Sequence, residues 1–100
     1  MKQGIFNAYV KLVSEGIGIS RKELFSSSRN RELANARYML YSLCYERPMT
    51  INQIVGLMDK EGYTISYEGV RNGIRIINKS EDRDVTMFMA DCLKEVEECF

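Results

Sequence analysis

The side chains best suited to specific chemistry lie on a segment with helical spacing that ends at about Lys79. In that segment Val70, Ile74 and Ile77 fall on one side of a helix at 100° per residue. The other side carries hydrogen-bonding groups with a basic excess, namely Glu68, Arg71, Asn72, Arg75 and Lys79. In a major groove, arginine can pair with guanine and asparagine with adenine. The pattern predicts a helix that reads double-stranded DNA; the alternative is an ordinary amphipathic surface helix.

Two glycines favour the first of these interpretations. Gly69 and Gly73 lie one turn apart toward the buried edge of the helix, and each costs about 1 kcal/mol of helix propensity relative to alanine. We therefore expect a second helix to cross this edge at close range, as the first helix of a helix-turn-helix motif does.

The preceding residues predict that first helix and the turn after it. Thr50 and Gln53 have the spacing of a capping box, and apolar residues then recur on one helix face up to about Glu61. Gly62 suits the left-handed position just after a helix, and Ser66 can cap the next one. A helix-turn-helix motif is therefore predicted over about residues 50–79.

A second basic element is the sequence Ser-Arg-Asn-Arg that begins at Ser28. Arg29 and Arg31 lie near the positive end of a predicted helix, which is unfavourable for helix stability, so another role should favour them there. Arginines that reach from a loop can enter a narrow minor groove or bind phosphates, and Arg37 follows two turns later, where it would touch the same DNA backbone. The alternative is a solvated arginine pair.

Hydrophobic periodicity along the chain predicts one all-α domain over residues 1–100, with about six helices and no strand. Gly16 is expected to end the first helix, Ser28 to cap the long third helix that forms the spine, and Asp82 or Asp84 to cap the last. The predicted helices cover Ile5 to Glu15, Ser20 to Phe25, about Arg29 or Asn30 to Glu46, Ile51 to about Glu61, Ser66 to about Lys79, and about Val85 to Cys99.

The charge distribution is uneven although the total is balanced. Lys and Arg number 14, as do Asp and Glu, and zero net charge counts against a nucleic-acid partner. Between Arg21 and Arg47, however, six basic residues accompany three acidic ones, whereas residues 81–100 contain two basic and seven acidic ones. A chain with this asymmetry can present one basic face.

The sequence gives little support for an enzyme, a metal site or a membrane protein. With no histidine, the usual general base and the usual partner of a serine or cysteine nucleophile are missing. Cys44, Cys92 and Cys99 have unrelated spacings, so we expect reduced thiols, no zinc site and no cofactor. Met1 leads into a helical pattern without a signal region, and no apolar run is long enough to span a membrane, so we expect a cytoplasmic protein.

The segment from Ser28 to Tyr41 reads Ser-Arg-Asn-Arg-Glu-Leu-Ala-Asn-Ala-Arg-Tyr-Met-Leu-Tyr. It resembles the basic loop and following helix of the C-terminal DNA-binding domain of the bacterial replication initiator DnaA. The resemblance continues at residues 23–25, where that domain has a short helix, at residues 51–54, where its first motif helix begins, and at Val70, where its recognition helix carries a valine. It covers nearly all of the chain, and implies a Trp-repressor-like fold in a stand-alone relative of phage or mobile-element type, acting in a bacterial cell.

The resemblance also implies roles for the basic residues. In that family the second arginine of the loop reads bases in the minor groove, which corresponds to Arg31 here, while Arg29 and Arg37 would hold phosphates. The family signature before the valine, Gly-Gly-Arg-Asp-His-Ser/Thr-Thr, is replaced here by the different sequence of residues 63–69. The sequence specificity of the initiator is therefore not expected.

The leading hypothesis is sequence-specific binding of double-stranded DNA by a monomer, in replication control or transcription regulation, with a host replication or transcription protein as a further candidate partner. The main candidates for contacts with bases are Arg71, Asn72 and Arg75. The alternative is a protein-interaction or virion component that retains the fold without binding DNA. Zero net charge, Glu68 on the reading face and the missing family signature favour it. The full set of candidate DNA-binding residues is Arg29, Arg31, Arg37, Ser66, Tyr67, Arg71, Asn72, Arg75 and Lys79.

Overall fold

The computed structural model describes the backbone of residues 2–99 and the side chains of residues 2–98. These residues form six helices and no strand, which confirms the predicted all-α fold. No helix within this range is long and apolar enough to cross a membrane. The helices are α1 (Lys2–Ile17), α2 (Arg21–Leu24), α3 (Arg31–Glu46), α4 (Ile51–Lys60), α5 (Tyr67–Asn78) and α6 (Arg83–Cys99).

Helix α3 is the spine of the fold, as predicted, because it contacts every other helix. Its side chains Leu40, Tyr41, Leu43 and Cys44 are completely buried. Helices α1 and α6 pack on it and on each other, while α4 and α5 pack together on the same spine. The consecutive helices α4 and α5 are joined by residues 61–66 and contact each other. They occupy the segment for which the sequence predicts a helix-turn-helix motif.

Short-range capping explains where most helices begin. The capping boxes predicted at Ser20 and at Thr50 are both present, with the side chain and backbone bonded in both directions. The Ser66 hydroxyl accepts a hydrogen bond from the Gly69 amide at 3.0 Å and starts α5. Asp82 caps α6 by accepting from the Asp84 amide at 2.9 Å. The starts of these four helices therefore depend on residues within one turn of one another.

Two predicted helix ends were wrong. Helix α1 continues through Gly16, whose face lies against the Phe88 ring of α6 so closely that a Cβ atom would collide with it. The helix ends instead at Ile17, and Gly18 directly after it adopts a φ of 84°. Helix α3 is capped by Asn30 rather than Ser28, since the Asn30 side chain accepts from the Glu32 amide at 2.8 Å.

The close crossing predicted at Gly73 exists, but the helix that crosses there is α3 and not α4. A Cβ atom on Gly73 would lie 2.6 Å from Tyr38 Cδ1 and 3.0 Å from Tyr41 Cδ2. The corresponding atom on Gly69 would meet Ile65 of the preceding turn, at 2.8 Å from Cγ1. Gly73 therefore lets the backbone of α5 approach the aromatic side chains of the spine.

Candidate nucleic-acid interface

A cleft of about 810 Å³ separates residues 28–31, here called the basic loop, from α5 and the turn before it. One wall is formed by the end of α2, the loop and the start of α3, and includes Phe25, Arg29 and Tyr38. The other wall is formed by the turn before α5 and by the side of that helix, and includes Asn72 and Ile76. The fold thus places Arg29 and Asn72, which are 43 positions apart in the sequence, on the two sides of one cleft.

The predicted reading face of α5 is exposed to solvent. Its inner side is held by Val70, Gly73, Ile74 and Ile77, which are all buried. Asn72 borders the cleft, whereas Lys79 is the C-cap residue directly after the helix. All of the candidate residues of this motif are exposed, namely Ser66, Tyr67, Arg71, Asn72, Arg75 and Lys79.

Within this face Glu68 forms an ion pair with Arg71, one turn along α5. The carboxylate and guanidinium atoms are 3.7 Å apart and both side chains are more than half exposed. An exposed pair of this kind contributes little to stability. Ser66 is partly engaged by its role as helix cap, since its hydroxyl oxygen already accepts from the Gly69 amide.

The basic loop is shaped by bonds between its own serine and asparagine side chains and nearby backbone. The Ser26 hydroxyl donates to the Glu23 carbonyl at 2.7 Å, and the Asn30 amide donates to the Ser28 hydroxyl at 3.2 Å. Such side-chain bonds replace the backbone bonds of regular structure and hold compact turns. Arg29 and Arg31 project from this framework and are exposed.

Arg37 does not have the position that a phosphate contact requires. Its side chain is only 4% exposed, and each guanidinium nitrogen donates to a backbone carbonyl of the α2–α3 segment. Nε donates to Leu24 at 2.7 Å, Nη1 to Ser28 at 3.0 Å and Nη2 to Ser26 at 2.6 Å. The prediction that Arg37 binds the DNA backbone was therefore wrong, because the protein's own backbone occupies these donors.

Sequence reasoning missed Tyr63, which it treated only as part of the turn. The Arg37 guanidinium carbon lies over the Tyr63 ring, 4.7 Å from its centroid. Tyr63 is half-buried against the core. The one available signal was its type, since turns favour small and polar residues rather than large aromatic ones.

The described thiols are buried and do not line the cleft. Cys44 is completely buried and Cys92 is 3% exposed; both are free cysteines, whereas the side chain of Cys99 lies outside the described part. Burial raises the pKa of the Cys92 thiol to about 11, with smaller contributions from Glu95 and Asp91. Burial also raises the pKa of Cys44.

These positions predict slow thiol chemistry in the folded protein. At pH 8 a thiol with a pKa near 11 is almost entirely protonated and is a poor nucleophile. We expect iodoacetamide to leave Cys44 and Cys92 unmodified at pH 8, and to modify both once urea unfolds the chain, as measured by mass spectrometry of peptides. Rapid modification of Cys92 in the folded protein would mean that α6 separates from the core.

Comparison of the chain with models of protein families, with curated proteins and with solved structures found no match. The functional assignment therefore depends on the arrangement of the loop, the cleft and α5.

Proposed function

We propose that this protein binds double-stranded DNA in a sequence-specific manner as a monomer, in replication control or transcription regulation. Helix α5 would enter the major groove, and Arg29 and Arg31 would reach the adjacent minor groove. The observation that carries the proposal is the cleft that separates the basic loop from α5, because both elements border it and are exposed. A helix and a loop that contact adjacent grooves together can fix both position and register on DNA.

The dimensions and chemistry of α5 support this docking mode. Its 12 residues make a helix about 18 Å long, and an α-helix with its side chains is about 10–12 Å across. A cylinder of this diameter fits the major groove of B-DNA, which is about 12 Å wide. Arg71, Asn72 and Arg75 would read base edges, while Lys79 at the helix end would bind phosphate. The contacts between buried residues of α5 and the spine would keep this face in a fixed orientation.

The charge distribution supports binding in one orientation. Arg29 and Arg31 lie at one end of α3, whereas most of the acidic residues after Ser80 belong to α6, which packs on α1 and α3. A neutral protein with separated charges can still attract DNA to its basic side, and salt weakens this attraction.

The proposal is tested by binding to random-sequence double-stranded DNA in a gel-shift series at about 50 and about 200 mM salt. We expect successive rounds of selection to enrich a defined site, and the affinity for this site to exceed the non-specific affinity at both salt concentrations. Binding that disappears at the higher salt and enriches no sequence would contradict the proposal.

The loop provides a matched pair of variants that separates base reading from phosphate binding. Arg31→Ala should weaken binding by about 1–3 kcal/mol, mainly for sites that contain the A·T-rich end of the selected sequence. The reason is that a minor groove distinguishes A·T from G·C pairs and that its width varies with sequence. Arg29→Ala should weaken binding to all sequences equally and reduce the salt slope by about one unit.

Both residues are exposed, so circular dichroism should show an unchanged fold in each variant. If both variants bind every sequence as tightly as the unchanged protein, the loop is a solvated arginine pair and its proposed role is wrong.

A protein-interaction or virion component is the second candidate function. It is favoured by the exposed apolar side chains on α5, where Tyr67 is 47% and Ile76 is 53% exposed, and by Glu68 on the same face. Such residues are common in the core of protein interfaces, and a carboxylate on a reading face repels phosphate. Failure to enrich any DNA site in the selection would favour this function.

A further inference from the structure

Arg37 lines the cleft and contacts two separate segments of the chain. Its guanidinium lies within the bend of the chain between α2 and α3 and donates to three carbonyls of that bend, those of Leu24, Ser26 and Ser28, at 2.6–3.0 Å. A planar group with donors in several directions can hold three acceptors at once, which a lysine ammonium on a flexible stem cannot do in the same geometry. Arg37 therefore fixes the path of the backbone that leads into Arg29.

The face of the same guanidinium lies on the turn before α5. Its central carbon is 4.7 Å from the centre of the Tyr63 ring, and the ring is half-buried. Tyr63 is placed by its own backbone, because its amide donates to the Met58 carbonyl at 3.0 Å and the preceding Gly62 has a φ of 83°. One side chain thus touches both walls of the cleft.

We infer that the Arg37–Tyr63 contact is a bridge that positions the basic loop relative to α5. The bridge consists of the three carbonyl bonds of Arg37 on one side and the Tyr63 ring on the other. The role of this bridge in binding rests on the proposed function. Arg37 and Tyr63 would set the distance between the loop in the minor groove and α5 in the major groove, without touching DNA themselves. If the loop is displaced in some molecules, the apparent affinity for DNA falls, because only molecules with the loop in place bind with full affinity.

A second link between the same two regions is too exposed to replace the bridge. Arg21 of α2 forms an ion pair with Glu61 at the end of α4, with a nitrogen to oxygen distance of 2.7 Å. Both side chains are accessible to water, with 47% of Arg21 and 21% of Glu61 exposed. Exposed pairs contribute little, whereas a desolvated cation over a ring contributes more.

The first experiment uses the protein alone and compares two substitutions of Tyr63. Tyr63→Phe keeps the ring, whereas Tyr63→Leu keeps an apolar side chain but removes the ring. We expect the Nε proton of Arg37, followed by NMR, to exchange with water about 3- to 30-fold faster in Tyr63→Leu and within about twofold of the unchanged protein in Tyr63→Phe. The carbonyl ¹³C resonances of Ser26 and Ser28 should move in Tyr63→Leu toward values without a hydrogen bond. Unchanged exchange and unchanged resonances in Tyr63→Leu would overturn the inference.

The second experiment measures affinity for the selected DNA site in two variants that keep the charge. Arg37→Lys removes the bridge at the loop end of α3, and Arg47→Lys makes the same change at the other end of that helix. We expect about tenfold weaker binding for Arg37→Lys and no change for Arg47→Lys, at a temperature where circular dichroism shows both to be folded. Equal affinity of the two folded variants would overturn the inference.

The two experiments separate the bridge from the proposed function. If the unchanged protein enriches no DNA site, the proposed function fails, while proton exchange in the Tyr63 variants still decides whether the bridge holds the loop. If Arg37→Lys does not fold, the same exchange measurement decides.

Discussion

Replacing Arg37 with alanine is expected to lower the free energy of unfolding by about 3 kcal/mol. Arg37 is 4% exposed and donates three hydrogen bonds to carbonyls, and a bond from a charged donor contributes about 1.5–3 kcal/mol. The three contributions are not additive, because water can reach the carbonyls once the loop moves. The loss of the stacked side chain from the Tyr63 ring adds to the effect.

This effect should be measured by urea unfolding, with Arg31→Ala as the matched control. Both arginines belong to α3, but Arg31 is exposed at its first residue, so its removal should change the free energy of unfolding by less than about 0.5 kcal/mol. For a domain of this size a loss of 3 kcal/mol lowers the melting temperature on the order of 12 °C or more. Equal stability of the two variants would show that the bonds of Arg37 are not important for the fold.

The helix framework was predictable because its signals are local. The capping boxes at Ser20 and Thr50, the cap at Ser66 and the left-handed Gly62 all depend on residues less than one turn apart. The incorrect end at Gly16 has the opposite origin. Gly16 lies inside α1 because the Phe88 ring of α6 packs where a side chain would be. Such a contact cannot be recognised from residues that are neighbours in sequence.

Arg37 illustrates why the site was only partly predictable. Its spacing from Leu33, Leu40 and Tyr41 places it on the apolar stripe of α3, yet its charge led to an expected role on the surface. Whether such an arginine faces water depends on where the preceding loop turns, and the loop turns so that its carbonyls meet the guanidinium. The resemblance to the initiator family implied the same wrong role, because a matched residue type does not fix the direction of a side chain.

Gly73 is expected to tolerate no side chain, although α5 is a regular helix around it. Gly73→Leu should lower the free energy of unfolding by about 3 kcal/mol, at the upper end of the usual range for overpacked cores. Even a Cβ atom would lie 2.6 Å from Tyr38 and 3.0 Å from Tyr41. Tyr38 is half-buried and can move outward, but Tyr41 is completely buried within the spine. The added side chain must therefore push α5 away from α3.

The chain offers a matched control for this effect in Gly56, in the middle of α4. A Cβ atom there would have no heavy atom of another part of the described chain within 4 Å, so Gly56→Ala should raise the free energy of unfolding by about 1 kcal/mol through helix propensity alone. Gly73→Ala gains the same propensity but meets the tyrosines, so its net change should be unfavourable. Thermal unfolding followed by circular dichroism compares the two alanine variants directly. A melting temperature for Gly73→Ala that rises as much as that of Gly56→Ala would mean that α5 does not approach the spine at this point, and the orientation proposed for its reading face would be wrong as well.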